Sequence, residues 1–357
     1  MNCLVLIEKG REKVCQEEVK EIVGKKVKKF DSVIEVEIKE KEKILELVLH
    51  GQSFRRLLIG LDKVKDLEDL DFSEINWDDY FFPKAKIKVE VEGVKGNDER
   101  LNIAKSVAGK FFSSVEEKLE LGIDLKKPDF LLVVFFNGEE YFLGIDVCGR
   151  DLSSRDYRVF TNSASMKGDL AYYFLRESGF VSGENLLAGF LKDGTLAIEA
   201  ALFISGRKVN ETKAMGKIPL FKKLDFSKKD LGKKGEEGGK IYGFEESRMN
   251  WQAAKKNSQI AKVGDVLELS KMSLDESDVK FKEDFFDRVI LQITKKDEEK
   301  LNEIYYQTGY VLKKKGTLML IGRKGWEVTI SSKFKLIKEQ EIVRGGGELK
   351  FWLLERK

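Results

Sequence analysis

Two stretches of this sequence hold residues whose types and spacing suit ligand chemistry. The first is Asn185 to Ala201, NLLAGFLKDGTLAIEAA. It begins apolar, turns at Gly194 and continues through Leu196, Ala197, Ile198, Ala200 and Ala201, residues of good average helix propensity. Strand, tight glycine turn and helix together aim the unpaired N–H groups of a helix N-terminus at a ligand, so Gly194 is a candidate for holding a cofactor. The second is Glu245, just past the strand Ile241 to Gly243. A carboxylate at the end of a second strand binds ribose hydroxyls in Rossmann-type domains; its alternative role is to start the helix RMNWQAAKKNSQIA.

Other chemistries are disfavoured by the composition. The three cysteines, Cys3, Cys15 and Cys148, form no close pair, which argues against a disulfide framework, zinc or iron–sulfur chemistry and suggests a reducing compartment. The single histidine, His50, cannot supply a histidine-rich metal site. No apolar run is long enough to span a bilayer, and Cys3 to Ile7 is too short for a signal segment, so a cytoplasmic protein is expected. Lys+Arg number 65 against Asp+Glu 62, a net charge of +3, so any nucleic-acid site must come from local patches. Abundant Lys and Glu with only 3 prolines resembles a hyperthermophile surface.

The elements that position these residues follow from periodicity. At the N-terminus a strand at Cys3 to Ile7, a helix carrying Val14, Cys15, Val19, Ile22 and Val23 inward, an alternating strand at Val33 to Ile38 and a helix at Ile44 to Leu49 predict a small open-faced α/β module. Lys25 to Lys29 reads as a solvated turn. Residues 66 to 82 are acidic and aromatic and read as a linker whose rings pack on a neighbouring domain. A strand at Ile87 to Val91, a helix over Leu101 to Leu121, an apolar strand at Phe130 to Phe136, an Asn137-Gly138 hairpin turn and a return strand at Tyr141 to Val147 follow. Residues 160 to 180 read as a connecting helix, and Gly206 to Lys240 as a mobile surface insertion. VLELS, FFDRVILQI and TLMLIG supply a third, fourth and fifth strand, and Glu348 to Leu354 a last one after the turn at Gly345 to Gly347.

Lys86 to Arg158 resembles a THUMP domain. The order of elements matches, and the run LGID…G…L…R-x-YR within YFLGIDVCGRDLSSRDYRVF is specific. Asn185 to Ala201 is similar to the first cofactor motif of the THUMP-domain RNA (tRNA guanine) methyltransferases, Leu-Leu-Asp-Pro-x-Cys-Gly-Ser-Gly-Thr followed by Ile-Glu-Ala-Ala. Gly194, Thr195 and Ile198 to Ala201 match; Ala188, Gly189, Leu191, Lys192 and Asp193 do not. The resemblance implies an α/β fold, with a ferredoxin-like plus THUMP module followed by a Rossmann-like S-adenosylmethionine-methyltransferase-type domain. It divides the chain into 1–65 (ferredoxin-like), 66–158 (THUMP), 159–180 (linker helix) and 181–357 (methyltransferase-type). The N-terminal pair is the unit that family uses to hold tRNA. Arginine grips phosphate bidentately and stacks on bases. Lys95, Arg100, Lys105, Arg155 and Arg158 are therefore the RNA-binding candidates, with a buried ion pair as the alternative for Arg155 and a core position for Tyr157.

The same resemblance places the catalytic motif, Asn/Asp-Pro-Pro-Tyr, at the end of the fourth strand, where this chain has Gln292, Ile293, Thr294 and Lys295. Gln292 offers an amide oxygen one methylene further out, and a displacement of ~1 Å costs on the order of a hundredfold in rate. Lys295 cannot stack on a flipped base as an aromatic ring does. In the first motif Ala188 replaces the carboxylate expected near the cofactor's ammonium, and Asp193 puts a negative charge at the helix N-terminus, where it also serves as a cap. The expectation is a structured-RNA binder, tRNA first, with a vestigial methyltransferase domain that holds no metal and is free to dock a protein partner subunit. The alternative is an active S-adenosylmethionine-dependent enzyme methylating a guanine exocyclic amine, with Gly194, Thr195 and Glu245 on the cofactor and Gln292 as the catalytic residue. A 4-thiouridine synthetase relative is disfavoured because no Ser-Gly-Gly-x-Asp-Ser loop occurs.

Overall fold

The computed structural model describes residues 1–162, 164–226, 238–294, 297–344 and 347–357. Lys295, most of LGKKGEEGGK and residues 345 and 346 of the expected Gly345 turn lie outside the described residues. The chain divides into two compact units. One comprises Met1–Leu152 with the described part of Asn210–Leu231; the other comprises Ser153–Val209 with the described part of Gly232–Lys357.

The first unit contains β1 (Asn2–Leu6), α1 (Glu12–Val23), β2 (Lys28–Phe30), β3 (Val33–Glu37), α2 (Lys41–His50), β4 (Arg56–Val64), β5 (Lys86–Glu92), α3 (Asn97–Ser114), β6 (Gly122–Ile123), β7 (Phe130–Phe136) and β8 (Tyr141–Asp146). All eight strands form one sheet, ordered β2-β3-β1-β4-β8-β7-β5-β6. The strands of the N-terminal module and of the THUMP-like stretch are therefore hydrogen-bonded together through the antiparallel β4–β8 ladder. The sequence reading omitted β4, whose residues Leu57, Leu58 and Ile59 are buried on both faces and so lack alternation. It also took Lys25 to Lys29 for a turn, whereas Lys28 and Lys29 pair with Glu35 and Ile34 in the edge strand β2. The aromatic residues of the expected linker pack inside this unit: Trp77 stacks with Phe81 at 5.7 Å and meets Phe111 edge-on at 4.9 Å.

Part of the expected mobile insertion is core. Met215, Ile218 and Phe221 are fully buried in the main cluster of this unit. The Asn210 side-chain amide donates to the carbonyls of Val48 (3.1 Å) and Gly51 (3.0 Å) at the end of α2. Lysine-rich flanks concealed this apolar triplet in the sequence.

The second unit contains α4 (Gly168–Glu177), β9 (Leu186–Gly189), α5 (Thr195–Ser205), β10 (Ile241–Glu245), α6 (Arg248–Ala261), β11 (Leu267–Lys271), α7 (Ser277–Lys280), β12 (Phe286–Gln292), α8 (Glu298–Val311), β13 (Leu312–Arg323), β14 (Phe334–Arg344) and β15 (Gly347–Arg356). Its sheet runs β11-β10-β9-β12-β13-β15-β14. The first five strands in that order are parallel, and β15 is antiparallel to both its neighbours. Strand order reverses at β9, which is flanked by β10 and β12. In an open parallel sheet the crevice at the carboxyl ends beside such a switch point receives the ligand.

Candidate functional site

The turn between β9 and α5 lies at that switch point. Gly194 has φ 84°, and a Cβ there would meet the Ala254 Cβ at 2.8 Å, so only glycine lets α6 pack this closely. Two other turn residues, Phe190 and Lys192, also have positive φ, 56° and 58°, without being glycine. Lys192 stands where the resembling motif has glycine, and such left-handed residues persist only where their surroundings hold them. One holding contact is the Lys192 N–H, which donates to Glu245 Oε2 at 2.9 Å.

Asp193 occupies the N-terminus of α5. It is 1% exposed, and its Oδ1 accepts from the Thr195 N–H (3.2 Å) and the Thr195 hydroxyl (2.7 Å). Its countercharge is Arg158, which donates to Asp193 Oδ2 (3.4 Å) and to Thr195 Oγ1 (3.1 Å). Asn257, fully buried on α6, donates to the Asp193 carbonyl at 2.9 Å. Thus an internal carboxylate satisfies the helix N-terminus, and an internal guanidinium neutralises that carboxylate.

Glu245 ends β10, as the sequence placed it, and is 3% exposed. Each oxygen accepts one main-chain N–H: Oε2 from Lys192, and Oε1 from Ser247 at 3.0 Å. Beside it opens a cleft of about 410 Å³ whose charged lining is Glu245, Glu246, Asp297, Glu299 and Glu303 against Lys192 and Lys300. Lys300 spans the cleft. Its ammonium lies 3.0 Å from Glu303 and 3.4 Å from Glu246, and 5.3 Å from the centre of the Phe190 ring. Burial pulls its pKa down, but the Glu303 hydrogen bond and the two carboxylate charges outweigh that and hold it above the ordinary lysine value. Nothing in the sequence marks Lys300, which reaches the cleft from the first turn of α8.

Gln292 ends β12, and its Nε2 donates to the Ala164 carbonyl at 3.2 Å. Its neighbours Ile293 and Thr294 line the cleft; Lys295, expected in the aromatic position, lies outside the described residues. The five RNA-binding candidates separate. Lys95, Arg100 and Lys105 are exposed at the start of α3 and in the loop before it. Arg158 is spent on Asp193. Arg155 must be withdrawn as an RNA contact in this structure: its side chain is 0% exposed and pairs with an equally buried Glu199 at 2.9 Å. Burial pulls the Arg155 pKa down, and the Glu199 carboxylate more than restores it. The Tyr157 hydroxyl also donates to Glu199, at 2.7 Å, so that ring is core. Among the described residues no group of His, Cys, Asp and Glu is arranged to hold a metal, and no helix is long and apolar enough to cross a membrane.

Five parallel strands, a switch point at β9 and an antiparallel strand inserted before the edge define a Rossmann-like methyltransferase-type domain. Residues 155–339, more than half of the chain, match the UPF0020 family, described as RMKL-like, methyltransferase domain, and residues 64–146 match the THUMP domain. The chain belongs to this family, with a THUMP domain preceding the methyltransferase domain. Similar solved structures include TrmN from Thermus thermophilus (17% identity, TM-score 0.71, 100% of this chain and 99% of that one). SMU.472, solved as a complex with SAH, is 16% identical with a TM-score of 0.74, covering 99% and 97%. A possible methylase from Clostridium difficile 630 is 19% identical with a TM-score of 0.72, covering 100% and 98%. At these identities the likeness is one of fold.

S-adenosylmethionine is the cofactor this family implies, and the donor set at the β9 turn does not fit it. Its ammonium requires an acceptor, and Ala188 is fully buried with none to offer. Its carboxylate requires free N–H groups, and Asp193 has already taken the Thr195 N–H while adding a negative charge. Only Glu245 retains the chemistry of a ribose ligand, with both oxygens already engaged once.

Proposed function

We propose that this chain is a structured-RNA binder, tRNA foremost, whose methyltransferase domain no longer performs methyl transfer. The observation that carries the proposal is the Asp193 carboxylate buried against the N-terminus of α5 and neutralised by Arg158. That contact does for the turn what a bound cofactor carboxylate would do. The RNA reading rests on the THUMP domain and on the exposed Lys95, Arg100 and Lys105. The domain keeps its fold as a scaffold, and a protein partner subunit is compatible with that role. The absence of a spanning helix supports a soluble, cytoplasmic chain.

Calorimetric titration of the whole chain with S-adenosylmethionine tests this reading directly. No heat of binding is expected up to millimolar cofactor, together with tRNA affinity that falls with salt. Binding of tRNA no tighter than by a control protein of equal charge overturns the RNA assignment. One observation favours the second reading, an active guanine-N-methyltransferase: Gln292 and Glu245 remain at the ends of β12 and β10, and the similar SMU.472 was solved with SAH. Radiolabelled methyl transfer to tRNA, abolished by Gln292→Ala, would establish it.

A further inference from the structure

Helix α6 differs from the rest of this chain in its charge. Arg248–Ala261 holds Arg248, Lys255 and Lys256 and no carboxylate, in a protein whose acidic and basic residues are otherwise nearly equal. All three cations are exposed, and among the described residues none has an acidic partner. Elsewhere in the same unit, exposed and half-exposed cations are paired, as in Lys313–Asp287 and Lys338–Glu177. What α6 offers instead is aromatic rings. Lys255 lies 5.1 Å from the centre of the Trp251 ring, and Lys256 lies 4.6 Å from that of Phe160.

Phe160 is placed with care for a residue left 38% exposed. Its N–H donates to Asn257 Oδ1 at 3.0 Å and its carbonyl accepts from Asn257 Nδ2 at 2.9 Å, and Asn257 is itself fully buried. The ring is thus held at the surface by its own main chain, with a cation against it. Apolar packing does not explain a ring fixed outward in this way.

We infer that the exposed face of α6, together with Phe160, is an RNA platform. Lys255 and Lys256 contact the phosphate backbone, and an unpaired base stacks on Phe160. Unpaired cations beside a fixed ring have the chemistry of a single-stranded nucleic-acid surface: phosphates displace counterions from the lysines, and any base stacks on the ring. Lysine already poised over the ring adds a cation–π contribution. This inference rests on the RNA-binding reading above and extends it to a surface of the methyltransferase domain.

The test uses the full chain and fluorescein-labelled tRNA, with anisotropy measured across a salt series. The double variant Lys255→Glu/Lys256→Glu should bind about tenfold more weakly, with a log–log salt slope shallower by about 2, near 0.9 per lost phosphate contact. Phe160→Ala should weaken binding about fivefold with the slope unchanged, as loss of stacking does. Ultraviolet cross-linking of the unmutated chain should place uridine on the peptide containing Phe160. Wild-type affinity and slope in the double variant, with tRNA still bound by the wild type, overturns this inference alone. No tRNA binding by the wild type overturns the RNA reading and this one together. An equal loss of affinity for polyglutamate, with Phe160→Ala silent, would assign the face to an acidic protein and also overturn it.

Discussion

At the turn between β9 and α5, the carboxylate of Asp193 and the guanidinium of Arg158 answer each other inside the protein. On α6, whose Ala254 backs the same turn, Arg248, Lys255 and Lys256 have no carboxylate to answer them among the described residues. The two places are in van der Waals contact and treat charge in opposite ways. A site whose charges are mutually satisfied has already gained the electrostatic energy a ligand would bring. A site whose charges face water unpaired still has that energy to gain. The difference separates the part of this domain that keeps the fold from the part that faces a partner.

The sharpest way to probe the inward side is Glu199→Ala. It strands Arg155, fully buried, and removes the acceptor of the Tyr157 hydroxyl. Breaking one partner of a buried pair costs about 3–5 kcal/mol, so urea unfolding should show a loss of that order in the second unit. A loss below about 1 kcal/mol would mean that the pair is solvated and that Arg155 is an RNA candidate again.

Asp193→Ser gives the next largest effect and tests the sealing of the turn directly. Serine retains the cap on the Thr195 N–H, so stability should fall by only about 1 kcal/mol. The variant removes the buried negative charge and frees Arg158 for an incoming carboxylate. S-adenosylmethionine binding, absent in the wild type, should become measurable by calorimetry. If the variant binds no better than the wild type, the acceptor missing at Ala188 is what excludes the cofactor and Asp193 is only a cap.

How legible these features were depended on the range of the interaction. β7 and β8 were readable because Phe130–Phe136 is continuously apolar and Asn137-Gly138 can hardly be anything but a tight turn. Gly194 and Glu245 were readable because strand, turn and helix are contiguous in sequence. β14 was not: FKLIKEQEIVR is an edge strand whose charged residues face water, and it pairs only with β15. Met215, Ile218 and Phe221 were hidden because their burial depends on strands more than a hundred residues upstream. The Arg158–Asp193 and Arg155–Glu199 pairs were invisible for the same reason: each partner looks, in its own neighbourhood, like an ordinary surface charge. The sequence therefore supported RNA contact and a buried pair equally for Arg155, and only the packing of α5 decided between them.

The smallest expected effect is also the most demanding of the comparison. Lys255→Glu/Lys256→Glu changes net charge by four on one face, yet those side chains hold nothing in place beyond their ring contacts. Surface substitutions away from caps and pairs stay within about ±0.5 kcal/mol. Two opposing terms act within that range: the lost cation–π contacts on Trp251 and Phe160 destabilise, and the new glutamates sit toward the middle and C-terminal half of α6, where the helix dipole disfavours them slightly. The melting temperature should fall by no more than a few degrees while RNA affinity falls about tenfold. A fall in stability comparable to that of Glu199→Ala would show that the lysines are structural. The contrast between a sealed turn and an open helix face would then collapse, because both would be spending their charge inward.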